Sequence, residues 1–454
     1  MELDFLQKKY PEFVYESYDW KIAGSDLAAG FCFRIGSIEF RPSITIYGID
    51  EVRIAALGSA AVSNLVFNMG LAEIPSYWKA ACSPTIVIRA GYLDKFQVDF
   101  WQSLIFNMGQ FFYENKLPFI KPDFKIEAQK PVKAVTIAKR FSRRYLVPLG
   151  GGKDSLVTLG VLKQIKKDVA TFTLNANIPL KGVVKAAGTD NIYIERKIDR
   201  KLVEINAQGF LNGHTPFSSV LAVLGVSLAA LFDYGYVAIS QERSSNEGNV
   251  EYLGKNINHQ YSKTFEFENK FRKYSAKYLA KNIEYASFLR PLYEIQISKI
   301  FSGYPKYFGS FLSCNKPFTI AARAAGSVGW CGQCSKCLSV FSMLYPFIGK
   351  DAAVNIFGSD LFENEKLLPV MLELLGQAEQ KPMECVGTFE EMRAAFYLSL
   401  IKAEGDRPYL LEYFEKNIMP KYPRIAAQSK KILLAWTNKH NLSKGLAAAL
   451  AKNI

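Results

Sequence analysis

Six consecutive residues, Gly150-Gly151-Gly152-Lys153-Asp154-Ser155, carry the clearest chemical signal in this 454-residue chain. Three adjacent glycines let backbone N–H groups close on an anion without obstruction by a Cβ, and a helix beginning there adds its dipole, so phosphate is the expected guest. The loop is not of Walker A type, because Asp154 follows Lys153 where Ser or Thr is required, and it lacks the glycine spacing of a dinucleotide-binding turn. A glycine-rich turn without a ligand is the alternative. A second signal is Cys331-Gly-Gln-Cys334-Ser-Lys-Cys337, with Cys314 upstream. Four thiolates suffice for a closed tetrahedral zinc site, and with no open position its role is expected to be structural. Ordinary buried cysteines, or an iron–sulfur cluster on the same thiolates, are the other readings.

Proton-transfer candidates are few. Of the three histidines, His259 is a candidate proton carrier or substrate contact, while His214 precedes a helix N-terminus, which favours a neutral imidazole. Cys385, outside the cysteine cluster and close to Glu384 and Gly387, is a candidate acid/base, since a thiolate can take a proton from carbon and the thiol can return one. Glu242, Arg243, Asn246, Glu247 and Asn249 follow a strand, and in open α/β sheets ligands gather beyond the carboxyl ends of strands. Arg243 suits a phosphate or carboxylate; Glu242 or Glu247 suits a magnesium ion or a base. Asn246, Asn249, Lys263, and Lys79 with Tyr77 beside it are candidate substrate contacts. Each has a plainer reading as a core, turn or surface residue.

The surrounding pattern must place these groups. Residues 1–130 open with short β-like stretches at 13–15, 38–40 and 43–47, then show helical spacing over 59–72 and 97–113, which predicts an N-terminal α+β domain. Residues 116–133, with Pro118, Pro122 and Pro131, read as its linker. Over 136–350 strands alternate with helices: a strand at 145–149, a helix at 155–166, a strand at 169–174, and a strand at 236–240. Between the last two strands Thr215 and Pro216 read as the N-cap and first turn of a helix reaching Phe232. This predicts an α/β domain with a doubly wound parallel sheet. Residues 351–454 read as helical, with most of 426–450 in helix.

Composition bounds the rest. Hydrophobic residues make up 49% and charged ones 22%, ordinary for a folded protein. No apolar run reaches bilayer length, and Met1-Glu2-Leu3-Asp4 puts acids where a secretory signal carries positive charge, so a cytoplasmic protein without a membrane partner is expected. Seven cysteines, four of them within 314–337, suit metal binding in a reducing compartment better than a disulfide framework. The net charge of +14 fits either nucleic acid or a phosphorylated small substrate. The absence of a Lys/Arg-dense tract or RNA-module signature favours the second. Oligomeric state is left open.

The glycine loop, between a strand and a helix, resembles the signature of the PP-loop ATP pyrophosphatases, with Gly150 where that family usually has Ser. The resemblance implies that Gly150, Gly151, Gly152, Lys153, Asp154 and Ser155 bind the phosphates of ATP, with Asp154 a partner for Mg²⁺. The cysteine pattern is similar to the zinc site of the 7-cyano-7-deazaguanine synthases, although the gap after Cys314 and the long terminal regions depart from it. Several stretches together resemble one narrower group, the UDP-N-acetylmuramoyl-L-alanyl-L-glutamate epimerases. They are Leu71-Ala-Glu-Ile-Pro-Ser-Tyr-Trp-Lys79, Leu211-Asn-Gly-His-Thr-Pro216, Glu242-Arg-Ser-Ser-Asn-Glu-Gly-Asn249, Asn258-His-Gln-Tyr-Ser-Lys263, Trp330-Cys-Gly-Gln-Cys-Ser-Lys-Cys337 and Lys381-Pro-Met-Glu-Cys-Val-Gly-Thr388.

That resemblance implies an isomerase of peptidoglycan precursor synthesis, converting the terminal L-Glu of UDP-MurNAc-L-Ala-L-Glu to D-Glu while ATP becomes AMP and pyrophosphate. The chemistry is coherent. A Cα–H beside an ionised carboxylate is a very weak acid, whereas an acyl-adenylate delocalises the carbanion as an enolate within reach of a side-chain base. A deazaguanine-type ligase, a tRNA-modifying adenylyltransferase and a non-enzymatic nucleotide sensor share parts of the pattern.

Overall fold

The computed structural model describes residues 1–128, 134–314, 316 and 329–454. Alternating apolar residues place Phe13 and Tyr15 of β1 (Glu12–Ala23) and Phe33 and Ile35 of β2 (Asp26–Ile35) in the interior. The two strands pair antiparallel around a tight turn at Gly24, whose φ of 65° suits glycine. β3 (Ile38–Phe40) and β4 (Ser43–Tyr47) add to β2, and β5 (Thr85–Ile88) and β6 (Asp123–Ile126) extend the sheet beyond β1. β6 lies inside the stretch expected to be a linker, so residues 123–126 form a sheet edge instead; Pro131 and Lys133 lie outside the described residues.

The central region supplies β7 (Tyr145–Pro148), β8 (Val169–Leu174), β9 (Asn191–Lys197), β10 (Tyr236–Ile239) and β13 (Glu284–Ser287), all parallel as the alternating pattern predicts. Their order, β13-β10-β7-β8-β9, reverses direction between β7 and β10. β9 then pairs antiparallel with β4, so one mixed sheet runs β13-β10-β7-β8-β9-β4-β2-β1-β5-β6 across the expected boundary near residue 130. The fold is α/β, dominated by parallel strands in its central part.

One face is covered by the Ser59–Trp78 and Phe217–Leu231 helices, apolar nearly all round and buried accordingly. Their core mixes Phe33, Trp78, Leu146 and Tyr274 from both sides of residue 130. The Lys153–Gln164 and Glu294–Ser302 helices share the second core with the helical C-terminal region, built around Ser335–Phe357, Phe389–Lys402 and Ile425–Leu433.

Several expected elements end differently. The helix over 97–113 breaks into Lys95–Phe106 and Gly109–Glu114, with the Asn107 side chain donating back to the Ser103 carbonyl. Thr215 does not cap the following helix: Pro216 stands at the N-cap, and Thr215 Oγ1 accepts a hydrogen bond from Lys79 Nζ at 2.8 Å. The helix over 426–450 is interrupted between Ile425–Leu433 and Lys444–Ala451, where Gln296 Nε2 donates to the carbonyls of Leu433 and Ala435. Ser335–Phe357 also meets the length and hydropathy needed to cross a membrane, correcting the expectation that no run does so. It bends at Gly349 (φ 79°), and its first half packs in the second core. Neither half is a straight span, since about 20 helical residues are needed to cross hydrocarbon.

Candidate active site

β7 ends at Pro148 and the chain turns through Gly150–Gly152 into the Lys153–Gln164 helix. Gly151 takes φ 93°, a conformation strained for other residues, and its carbonyl accepts from Leu312 N at 2.9 Å. A Cβ on Gly152 would approach Ser313 Oγ to 2.9 Å. Gly152 is the N-cap and no side chain caps the helix, leaving its first N–H groups for a ligand. A cavity of about 910 Å³ opens here, lined by Gly150, Gly152, Asp154 and Ser155 and by the carboxyl ends of β7, β8, β9 and β10. It lies at the β7/β10 reversal, where open α/β sheets bind ligands.

Lys153 is not aimed into that cavity. Its side chain is 1% exposed, with Nζ 2.7 Å from Asp154 Oδ1 and 2.9 Å from Glu294 Oε1. Burial opposes its charge, but Asp154 and Glu294 outweigh that cost and keep the ammonium protonated. Its ammonium is therefore held behind the loop by two carboxylates and is absent from the cavity lining.

Another part of the lining is built around Cys385. Lys263 Nζ donates to its Sγ at 2.8 Å, and His259 Nε2 lies 3.0 Å from the same sulfur. Cys385 lies 122 and 126 positions beyond Lys263 and His259, and they meet because the β11–β12 hairpin (Val250–Tyr252 and Lys255–Ile257) returns the chain to Asn258. Asn258 Nδ2 then donates to the Ser245 and Glu247 carbonyls at 2.7 Å. Asn249 joins both sides, accepting from His259 N at 3.0 Å and donating to Pro382 O at 2.8 Å. Burial, then Lys263, Lys336 and Lys381, pushes the His259 imidazole down to about 3. His214, which also lines the cavity, is pushed down to about 3 by burial and then by His259. It is neutral as expected, but burial rather than the helix terminus is the leading cause.

Glu242 is buried just behind Cys385. Burial, reinforced by the charges of Asp154, Cys385 and Glu294, pushes its carboxyl up to about 7. A carboxyl so placed is protonated and ionised to comparable extents near neutral pH. Arg290, 1% exposed, donates to the Glu242 carbonyl at 2.8 Å and the Lys263 carbonyl at 2.7 Å, fixing the backbones of both residues.

The other candidate contacts have structural partners. Tyr77 is wholly buried against Phe33 and Phe40. Lys79 Nζ holds the 213–215 turn through Gly213 O and Thr215 Oγ1, and burial followed by Arg196 lowers its ammonium to about 8. Arg243 lies over the Tyr293 ring at 4.3 Å. Asn246 accepts from Phe265 N at 2.8 Å, and Glu247 pairs with Lys381 at 3.1 Å. None of these five lines the large cavity.

Lys336 and Glu294 were not singled out from the sequence. Lys336 lines the cavity, donating to Cys385 O and, at 3.2 Å, to Glu294 Oε1. Its place between Cys334 and Cys337 was the available signal. Glu294 opens a helix after Pro291-Leu292-Tyr293 and carries no motif.

Cys314, Cys331, Cys334 and Cys337 converge so that their sulfurs lie within 4.8 Å of one another, with pairs at 3.5, 3.6 and 3.9 Å. Tetrahedral thiolates about 2.3 Å from a zinc ion stand about 3.8 Å apart, so the set fits such an ion. The cluster could hold a metal ion.

The comparisons with known proteins agree along the chain. Residues 4–288 match the model of the MurL N-terminal domain, and residues 310–428 that of the MurL C-terminal domain. A relative from Micromonospora sp. named UDP-N-acetyl-alpha-D-muramoyl-L-alanyl-L-glutamate epimerase is 35% identical over 335 residues, 73% of each chain. One of the same name from Xanthomonas oryzae pv. oryzae is 33% identical over 370 residues, covering 80% of this chain and 81% of its own. A third, from Salinispora tropica, is 35% identical over 294 residues, or 64% of this chain and 63% of its own. No solved structure matches the chain.

Proposed function

We propose for this chain, which belongs to the MurL family, the activity in its relatives' name: epimerisation of the terminal L-Glu of UDP-MurNAc-L-Ala-L-Glu. One observation carries the mechanism: the Lys263–Cys385–His259 cluster and the glycine loop open on the same cavity.

In this reading the glycine loop and the helix N-terminus hold the pyrophosphate end of ATP while a carboxylate oxygen of the terminal glutamate attacks the α-phosphorus. Pyrophosphate leaves and an acyl-adenylate forms. Asp154 would hold a magnesium ion, whose contribution when bound is to neutralise the departing pyrophosphate. The Cys385 thiolate, stabilised by the Lys263 ammonium, takes the Cα proton, and the electron pair moves into the acyl carbonyl as an enolate. A proton reaching the opposite face from the cavity side then completes the inversion, while Glu242, protonated in part at neutral pH behind Cys385, sets the charge next to the sulfur. Neutral His259 orients the sulfur by its hydrogen bond. Water then attacks the acyl carbon, releasing AMP and the D-Glu product. Cys314, Cys331, Cys334 and Cys337 would hold a structural zinc ion. The reaction is a cytoplasmic step of peptidoglycan precursor synthesis.

The test incubates the protein with ATP, Mg²⁺ and UDP-MurNAc-L-Ala-L-Glu in heavy water. D-Glu carrying deuterium at Cα, formed with AMP, is the expected result. Absence of both exchange and substrate-stimulated AMP refutes the reading. Asp154→Ala is expected to abolish pyrophosphate release in a folded protein, and full release would remove the loop from the mechanism.

A further inference from the structure

The two halves of the site are joined by a buried line of alternating charges. It begins at the glycine loop, where Asp154 Oδ1 accepts from Lys153 Nζ at 2.7 Å. It continues from Lys153 Nζ to Glu294 Oε1 at 2.9 Å, and from the same oxygen to Lys336 Nζ at 3.2 Å. It ends where Lys336 Nζ donates to the backbone carbonyl of Cys385. Lys153 and Glu294 are each 1% exposed, so water screens these interactions little.

One carboxylate oxygen thus holds two ammonium groups that repel each other. Glu294 Oε2 is buried and, among the described residues, has no hydrogen-bond partner, so nothing divides the load. Burial opposes ionisation of Glu294, but Lys153 and Lys336 outweigh it and hold the carboxyl far below its usual range. A cation arriving at the loop with the nucleotide phosphates competes with Lys153 for Asp154. Lys153, losing that partner, draws harder on Glu294, and Lys336 loosens its hold on the other side.

We propose that Glu294 is a positioning residue that makes the placement of Cys385 depend on what occupies the glycine loop. The proposal rests on the reading of that loop as the ATP site and of Cys385 as the proton-transfer thiol. Its consequence is order in the reaction: the thiol reaches its working position when nucleotide is bound, after or with activation of the carboxylate. Lys336, one residue from Cys337 and two from Cys334, also anchors the line to the cysteine cluster.

The experiment follows alkylation of Cys385 by iodoacetamide in the full chain, read at its own peptide by mass spectrometry, with and without ATP and Mg²⁺. Equilibrium dialysis measures ATP affinity in parallel. In the parent protein, ATP with Mg²⁺ is expected to change the Cys385 labelling rate by about fivefold or more, the lower range of ordinary coupling between sites. In Glu294→Gln, and separately in Lys336→Met, ATP still binds but the labelling rate no longer responds to it. Lys336→Met leaves the Lys153–Glu294 pair in place and decides the matter if Glu294→Gln does not fold. A folded variant that keeps the parent's response overturns the proposal, as does a parent protein that binds ATP with no change at Cys385. A parent protein that binds no ATP overturns the proposed function together with the coupling.

Discussion

Replacing Lys263 by methionine keeps the apolar stem and removes the ammonium 2.8 Å from Cys385 Sγ. The backbone stays fixed, because the Lys263 carbonyl still accepts from Arg290 Nη2 at 2.7 Å. A hydrogen bond to a charged group contributes about 1.5–3 kcal/mol, so loss of this one from the proton-abstraction step slows it by about 10- to 150-fold. His259 remains 3.0 Å from the sulfur, but a neutral imidazole does not replace a full positive charge. The glycine loop keeps its contacts with Leu312 and Lys153 and should still release pyrophosphate. The assay measures two rates on one sample in heavy water: pyrophosphate formation under single turnover, and deuterium at the glutamyl Cα. Exchange should fall by the stated factor while the first turnover of pyrophosphate stays near the parent rate. Equal loss of both, or full exchange in the folded variant, would refute the assignment of Lys263 to the thiolate.

Glu242 has a folded-state carboxyl near 7 against 4.5 when unfolded. Its protonated form is the one the fold favours, so its contribution to stability is full below about 4.5 and is lost as pH rises through about 7, by about 3 kcal/mol at most. The melting temperature should therefore drop less between pH 5 and pH 8 in Glu242→Gln than in the parent; parallel slopes would show that Glu242 does not titrate there. Metal analysis should find one zinc ion per chain, lost when Cys334 and Cys337 are both changed to Ser, and a metal-free preparation of full activity would refute the cluster's structural role. A Cβ on Gly70 would fall 2.0 Å from Tyr15 Oη and 2.9 Å from Phe31 Cδ1, so Gly70→Ala should cost about 1–3 kcal/mol in a denaturant melt. An unchanged midpoint would mean that the Tyr15 ring moves freely.

What was legible in the sequence had local causes. The glycine loop, the strands at 145–149 and 169–174 and the cysteine spacing each follow from neighbours a few residues apart. Cys385, His259 and Lys263 were singled out, but not as a contact, because the distance between them closes through the β11–β12 hairpin and the 381–388 segment. Glu294 and Lys336 were missed for the same reason: their meaning comes from partners 141 and 49 positions away. Tyr77 illustrates the opposite error. Its place beside Trp78 and Lys79 suggested a binding aromatic, whereas it fills the core beneath β2 and β3. The sequence pattern for residues 1–130 likewise could not reveal that β4 pairs with β9, since the 43–47 segment reads as an ordinary strand and 191–197 was not singled out as one.

That β4–β9 seam governs how the polypeptide can be assembled and cut. β4 emerges from the ribosome about 150 residues before its partner, so until β9 is made the N-terminal sheet carries an unpaired row of N–H and C=O groups. Such a row is a template for pairing with the wrong chain, and contacts of long sequence separation form slowly. Removing the first 130 residues would leave β9 with the same open edge in the finished protein. The half that carries the glycine loop is therefore a poor candidate for expression alone, and the N-terminal strands protect it from self-association.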